Sequence, residues 1–195
     1  MSTTENIDGV EMRVTNKVFT LANFFSVSRI FIAAPIIYVY FLYDGISLIF
    51  TILVAYGIIS DYLDGWSARR NNDISELGKV IDPIADKIMA GILFIFATYL
   101  GLIPLWFLIT TLSRDALIMA GSIYVKVTRG KVAMSVMSGK VFVNVLALYW
   151  LVAIYFPYRT AVVDFFMIAA TVLMVYSFFD YIYRFIRILQ GAKFN

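Results

Sequence analysis

Two long apolar runs of the chain are joined by the stretch DYLDGWSARRNNDISELGKVIDPIAD, residues 61–86. Four of its aspartates lie at the ends of those runs, where an unpaired charge in a membrane is energetically expensive. Asp61 and Asp64 are three residues apart and therefore share one face of a helix. Asp82 and Asp86 are four residues apart and share a face in the same way. The pattern predicts two helices that present their carboxylates to one cation-binding pocket.

The composition is that of an integral membrane protein. The chain of 195 residues is 62% hydrophobic and 15% charged, with a mean hydropathy of +0.85. A soluble domain is only about half apolar. The absence of cysteine and histidine excludes disulfides, thiol nucleophiles and triads based on histidine. The oxygen ligands that remain suit hard cations such as Mg²⁺, Mn²⁺ or Ca²⁺.

Six apolar runs are long enough to cross a bilayer, which takes about 20 residues as a helix. The sequence therefore predicts an all-α fold, a six-transmembrane-helix bundle. The predicted spans are 24–43, 46–66, 80–101, 104–126, 139–156 and 161–183.

Basic residues mark one side of this bundle. Most lysines and arginines lie near the chain ends or in the polar loops 67–79 and 127–138, whereas Arg159 is alone on the other side. The positive-inside rule then makes both termini and both polar loops cytoplasmic. We expect a polytopic protein of a bacterial inner membrane, with its acidic stretch open to the cytoplasm.

The domain organisation is expected to be simple. Residues 1–15 are polar and are predicted to form an N-terminal tail, without the pattern of a removable signal peptide. Residues 16–22 have the composition of a short interfacial helix. With no repeat or second domain, residues 16–195 are predicted to be one six-helix membrane domain.

The acidic stretch also carries a longer motif, Asp61-x2-Asp64-Gly65-x2-Ala68-Arg69-x8-Gly78-x3-Asp82-x3-Asp86. It resembles the signature of the CDP-alcohol phosphatidyltransferase family, with all eight identities at the family's spacing. The resemblance implies a catalytic domain of six transmembrane helices, with the active site at the cytoplasmic ends of the second and third. It also implies transfer of the phosphatidyl group of CDP-diacylglycerol to an alcohol, with release of CMP.

The resemblance assigns roles to the acids. Two divalent cations, Mg²⁺ or Mn²⁺, are expected on Asp61, Asp64, Asp82 and Asp86. Two such ions cancel the formal charge of four carboxylates. The first three aspartates are expected to be mainly ligands. Asp86 is expected to be the base that takes the proton of the attacking hydroxyl.

Small residues accompany the acids. Gly65, Ala68 and Gly78 would let a flat nucleotide approach the helix backbone. Arg69 is expected to hold the nucleotide, with a structural pairing to an aspartate as the alternative.

The first span contains a second polar pattern, Asn23-x2-Ser26-x2-Arg29-x5-Pro35. It resembles the N-x2-T-x2-R-x5-P start of family members, with serine in place of threonine. Asn23 and Ser26 are therefore candidates for binding CDP. The alternative is an interfacial cap in which Arg29 extends to lipid headgroups.

Residues other than the aspartates of the motif indicate which alcohol is the acceptor. Asp82 is followed by Pro83, which is similar to the phosphatidylglycerophosphate synthase and cardiolipin synthase branches of the family. Chain length and the element Ser138-Gly139-Lys140 favour glycerol 3-phosphate as acceptor. The pair Arg114-Asp115 resembles the cardiolipin synthases, so phosphatidylglycerol is the alternative.

An anionic acceptor needs cationic groups beside the metal ions. Arg114, inside the fourth span, and Lys140, at the start of the fifth, are the candidates for binding its phosphate. The alternative for Arg114 is an ion pair with Asp115 or Asp180.

A divalent-cation transporter is the competing class, because acidic clusters also coordinate permeating ions. The absence of a second acidic cluster toward the other membrane face argues against it. The aromatic content of 17% is explained by interfacial anchoring, and no nucleic-acid partner is expected. Part of the apolar surface is a candidate for homodimer contacts.

Overall fold

The computed structural model of the chain contains six long helices and one small sheet. It describes the backbone of residues 3–7, 10–15, 21–71, 73–75, 78–129 and 136–191, and the side chains of 23–60, 81, 84–129 and 136–191.

The six predicted helices are all present, with ends that differ by a few residues from the predicted spans. Arg69 and Arg70 belong to the second helix, so the polar loop predicted at 67–79 is shorter than expected. Alanine and arginine are strong helix formers, which explains the extension. The helices are α1 (Leu21–Leu42), α2 (Leu48–Asn71), α3 (Gly78–Tyr99), α4 (Leu105–Arg129), α5 (Met137–Tyr155) and α6 (Thr160–Leu189).

A three-stranded sheet is the part of the fold that was not predicted. Strand β1 (Thr3–Ile7) pairs antiparallel with β2 (Val10–Thr15), and β2 pairs parallel with β3 (Asp73–Ser75). Residues 10–15 alternate apolar and polar types, which is the period of a strand. The all-α prediction is confirmed for the six long helices and did not include these strands. Two of the strands lie within residues 1–15, which were predicted to be a polar tail, and β2 pairs with β3 between α2 and α3. The predicted interfacial helix at 16–22 lies mostly outside the described residues.

Contacts divide the chain into two compact units, Met1–Phe96 and Ala97–Asn195. In the first unit, the ring of Tyr40 on α1 contacts Phe50 on α2 and Phe96 on α3, with centroid separations of 5.5 and 5.1 Å. The hydroxyls of Ser28 and Tyr56 form a 2.9 Å hydrogen bond between α1 and α2. These contacts hold the three helices of the unit together.

In the second unit, α6 packs against both α4 and α5. The hydroxyl of Thr111 on α4 donates to Met174 Sδ on α6, at 3.7 Å. Gly121 lies against the ring of Phe185, so that an added Cβ would be 2.5 Å from the ring. Glycine at this position therefore permits the close approach of α4 to α6.

Four of the described helices are long and apolar enough to cross a membrane: α1 over Asn23–Leu42, together with α4, α5 and α6 over their full lengths. A shorter apolar segment, Leu48–Ser60, forms the first half of α2. Many large apolar side chains on these helices are exposed, as expected for surfaces that face lipid. The chain is a multi-pass membrane protein, and the count of six spans stays a prediction.

Candidate active site

Four aspartates of the acidic stretch lie on two helices, as predicted, whereas Asp73 begins strand β3. Asp61 and Asp64 belong to the second half of α2, and Asp82 and Asp86 to the first half of α3. The helical backbone supports a common face for each pair. Of these four, only Asp86 has a described side chain, and the ligand role of all four stays a prediction, as does the role of Asp86 as base.

Gly57 on α2 lies beside the Met89 side chain of α3, one turn before the acidic stretch. A Cβ added to Gly57 would be 3.4 Å from Met89 Cε and 3.9 Å from Ile32 on α1, so the three helices meet there. Asp61 and Asp64 follow Gly57 by four and seven residues. They therefore occupy the same helix face as this contact.

The acidic face of α3 is related to the same contact. Met89 follows Asp86 by three residues and Asp82 by seven. These spacings place both aspartates on the helix face that meets α2. Binding of divalent cations by these four carboxylates stays a prediction.

Asp86 forms an ion pair with Arg29 of α1. The carboxylate side chain is 47% exposed, whereas the Arg29 side chain is only 2% exposed. A buried guanidinium is costly unless a counter-charge is close. The pair therefore attaches the predicted base to a cation that is fixed inside the first unit.

The polar pattern of the first span is buried as a whole. Asn23, Ser26 and Arg29 are 5%, 0% and 1% exposed and follow one another every three residues along α1. The alternative in which Arg29 extends to lipid headgroups is wrong, because this side chain is enclosed by protein and paired with Asp86. Binding of CDP by Asn23 and Ser26 stays a prediction.

The remaining predicted CDP contacts lie at helical positions. Gly65, Ala68 and Arg69 belong to α2, and Gly78 is the first residue of α3. The side chains at these positions are outside the described residues. Their role in nucleotide binding remains a prediction.

Arg114, a candidate for the acceptor phosphate, lies in the second unit with three kinds of partner. Its Nη1 donates to Asp115 at 2.6 Å, and its Nη2 donates to Ser177 of α6 at 2.8 Å. The guanidinium carbon lies 4.7 Å from the ring centre of Phe142 and 5.7 Å from that of Tyr181. The side chain is 11% exposed, and the observed ion pair is the predicted alternative with Asp115.

Lys140, the other candidate, begins α5 in the element Ser138-Gly139-Lys140. Ser138 Oγ donates to Asp180 at 2.5 Å, so Asp180 pairs with this serine and not with Arg114 in the described contacts. Lys140 itself is exposed. A Cβ added to Gly139 would be 3.0 Å from the ring of Tyr181.

Tyr181 connects the two candidates, because it contacts both Arg114 and the α5 turn that precedes Lys140. Its hydroxyl also accepts the backbone N–H of Val136, at 3.4 Å. The sequence did not single out Tyr181 or Ser177 as site residues. Their four-residue spacing on α6 gives a common face, but only a three-dimensional arrangement shows that α4 and α5 meet that face.

The sequence model of the CDP-alcohol phosphatidyltransferase family matches residues 19–176. The chain belongs to this family. The matched region of this family member contains every predicted site residue, from Asn23 to Lys140. It excludes β1 and β2, and it ends one residue before Ser177.

Curated relatives carry two related names. A putative cardiolipin synthase of Mycobacterium tuberculosis (strain CDC 1551 / Oshkosh) is 36% identical over 121 residues, which are 62% of this chain and 57% of the relative. The cardiolipin synthase (CMP-forming) of Streptomyces coelicolor is 33% identical over 119 residues, 56% of this chain and 53% of the relative. The CDP-diacylglycerol--glycerol-3-phosphate 3-phosphatidyltransferase of Aquifex aeolicus is 34% identical over 105 residues, 52% of this chain and 57% of the relative. The chain of this family member thus spans little more than half of each relative.

Proposed function

We propose that this family member transfers the phosphatidyl group of CDP-diacylglycerol to an alcohol and releases CMP. The observation that carries the proposal is the complete eight-residue motif within the matched family region. The Gly57–Met89 contact supports it, because it joins the faces of α2 and α3 that carry the motif's aspartates. Transfer of this kind needs a nucleotide site and a base within one pocket.

The proposed reaction is a displacement at phosphorus. The acceptor oxygen forms a bond to the phosphorus that bears diacylglycerol, the bond from that phosphorus to CMP breaks, and Asp86 takes the hydroxyl proton. Mg²⁺ or Mn²⁺, held by Asp61, Asp64, Asp82 and Asp86, would supply positive charge to the diphosphate and the leaving CMP. The proposed nucleotide contacts are Gly65, Ala68, Arg69, Gly78, Asn23 and Ser26.

The proposed setting is the inner leaflet of a bacterial inner membrane. In this arrangement all six helices span the bilayer and both termini are cytoplasmic, so that the acidic ends of α2 and α3 face the cytoplasm. The excess of basic residues on that side supports the orientation.

Two acceptors share the chemistry that the site requires. Glycerol 3-phosphate and phosphatidylglycerol both offer a primary hydroxyl of glycerol, with a phosphate group at the other end of the glycerol. They differ in charge, because the phosphodiester of phosphatidylglycerol carries one negative charge and the phosphate monoester of glycerol 3-phosphate carries up to two. The choice therefore depends on the net charge of the acceptor site.

We favour phosphatidylglycerol as the acceptor, with glycerol 3-phosphate as the second candidate. Arg114 is already partly neutralised by Asp115, which suits a singly charged phosphodiester better than a dianion. The names of the mycobacterial and Streptomyces relatives agree with this choice. The element Ser138-Gly139-Lys140 and the name of the Aquifex relative favour glycerol 3-phosphate.

An acceptor panel tests the proposal. Detergent-purified protein with CDP-diacylglycerol and Mg²⁺ or Mn²⁺ is offered phosphatidylglycerol, glycerol 3-phosphate, serine and inositol phosphate in separate reactions, and CMP is measured. We expect CMP with phosphatidylglycerol and loss of CMP release with EDTA. Release with glycerol 3-phosphate alone would select the second candidate. Cation flux into protein-containing liposomes without CMP release would support the transporter instead.

A further inference from the structure

The ion pair between Arg29 and Asp86 joins a buried cation to a motif aspartate on another helix. Arg29 is on α1 and Asp86 on α3, and both lie in the first unit. The guanidinium is enclosed by protein, whereas about half of the carboxylate side chain is exposed. The cation is therefore a fixed part of the fold, and the carboxylate remains accessible to a ligand from solution.

The negative charge of the acidic stretch means that the Arg29–Asp86 ion pair affects both the stability of the site and its affinity for cations. The four carboxylates of the proposed site would repel one another when no metal ion is bound. A permanent positive charge beside Asp86 offsets part of that repulsion. The same charge repels a divalent cation that approaches Asp86, because like charges a few ångströms apart repel one another even where water screens part of the interaction.

We propose that Arg29 is an internal counter-cation that stabilises Asp86 in the metal-free protein and competes with a divalent cation for that carboxylate. This inference rests on the proposed function for the presence of the metal ions. Arg29 is a positioning residue in this scheme, because it acts on the reaction through Asp86. Its presence lowers metal affinity and keeps the metal-free site folded.

This role makes a prediction opposite to that of a purely structural residue. Loss of a structural residue loosens the site and weakens metal binding. Loss of a competing cation tightens metal binding and at the same time destabilises the metal-free protein. A direct contact of Arg29 with the nucleotide would instead change the affinity for CDP-diacylglycerol and leave metal binding alone.

The test uses Arg29→Met in the full-length, detergent-purified protein, because methionine removes the charge and keeps an unbranched chain. Mn²⁺ affinity is measured from the free-ion signal in electron paramagnetic resonance, and thermal unfolding is followed with and without Mn²⁺. We expect Mn²⁺ to bind roughly tenfold more tightly than to the wild type. We also expect a lower midpoint without metal and a larger rise on Mn²⁺ addition.

Arg114→Met is the matched control, since Arg114 is also a largely buried arginine with an aspartate partner. It is expected to lower the unfolding midpoint without tightening Mn²⁺ binding. In an Asp86→Asn background, Arg29→Met should leave Mn²⁺ affinity unchanged, because the carboxylate for which the two cations compete is gone. Equal tightening by Arg29→Met in both backgrounds would overturn the competition.

Unchanged or weaker Mn²⁺ binding by folded Arg29→Met would also overturn the inference. If Arg29→Met does not fold, Arg29→Gln and Arg29→Lys replace it, and the inference requires tighter binding for the neutral variant only. If the wild type releases CMP but Arg29→Met binds Mn²⁺ no more tightly than the wild type, the inference is overturned and the proposed function is retained. If Arg29→Met binds Mn²⁺ more tightly than the wild type but no acceptor gives CMP release, the proposed function is overturned and the counter-cation role of Arg29 is retained.

Discussion

Arg29 and Arg114 are both largely buried arginines, yet their counter-charges come from different places in the chain. Arg29 pairs with Asp86 on another helix, whereas Arg114 pairs with its neighbour Asp115 and donates to Ser177. The Arg29 ion pair includes a residue of the family motif, whereas the charge of Arg114 is neutralised by a residue of its own helix. Burial alone therefore does not show that an arginine belongs to a site. The position of its counter-charge is the more informative observation.

The surroundings of the two arginines differ in the same sense. Arg29 continues a buried polar row that begins with Asn23 and Ser26. Arg114 lies over the rings of Phe142 and Tyr181, where cation–π attraction adds to its ion pair. The polar row on α1 ends at the cation that pairs with Asp86, whereas the rings around Arg114 mainly fix its position between α4, α5 and α6.

The largest expected effect is that of Asp86→Asn, on the Arg29 side of the comparison. Removal of the proposed base should reduce turnover by about 100-fold or more, while CDP-diacylglycerol binding remains measurable. Steady-state CMP release and a separate donor-binding assay measure the two quantities. A variant that keeps most of its activity would show that Asp86 is not the base.

The next largest effect is expected on the Arg114 side. Arg114→Ala or Lys140→Ala should raise KM for the acceptor by roughly tenfold, because each removes a proposed charged partner of the acceptor's phosphate. KM for CDP-diacylglycerol should change much less. Ser177→Ala is the matched control, because it removes one hydrogen bond of Arg114 and keeps the charge. Equal effects on both substrates would refute an acceptor-phosphate site.

A smaller effect, on stability alone, is expected at the α4 face that carries Arg114. Gly121 follows Arg114 by seven residues, and Gly121→Ala would bring a Cβ to 2.5 Å from the ring of Phe185. Overpacking of this kind should destabilise the fold by about 1–3 kcal/mol, measured by thermal unfolding in detergent.

Gly91→Ala on α3 is the matched control for Gly121→Ala. A Cβ added at Gly91 would meet nothing within 4 Å. Alanine is the better helix former by about 1 kcal/mol, so this variant should be neutral or slightly stabilised. Equal unfolding midpoints for the two variants would contradict the close α4–α6 approach.

The smallest effect is expected for Tyr149→Phe, which tests a buried polar group that differs from both arginines. Tyr149 is 0% exposed, and its hydroxyl has no hydrogen-bond partner among the described residues. Removing an unpaired hydroxyl should change the free energy of unfolding by less than about 1 kcal/mol, toward stabilisation if at all. A clear loss of stability would reveal a hydrogen bond to this hydroxyl.

The six helices and the helical positions of the aspartates were predictable because both depend on local patterns. Apolar run length indicates a membrane helix, and residues three or four apart share its face whatever the helix packs against. The family motif was readable for the same reason, since its spacing lies within one stretch of sequence. Residues 10–15 carry the alternation of a strand, but the pairing of the sheet was not predictable, because β2 pairs with β3 and places Arg13 opposite Asp73, far away in the chain.

By itself, the sequence determined the family, the positions of the six long helices and the acidic motif, all of which are properties of contiguous residues. Only the tertiary structure decided how the buried cations are paired. The sequence allowed Arg29 to contact lipid headgroups or a protein group, and the packing of α1 against α3 pairs it with Asp86. Arg114 had two candidate aspartates, and it pairs with Asp115 while Ser138 binds Asp180. Such choices depend on distances between helices, which the local order of residues does not encode.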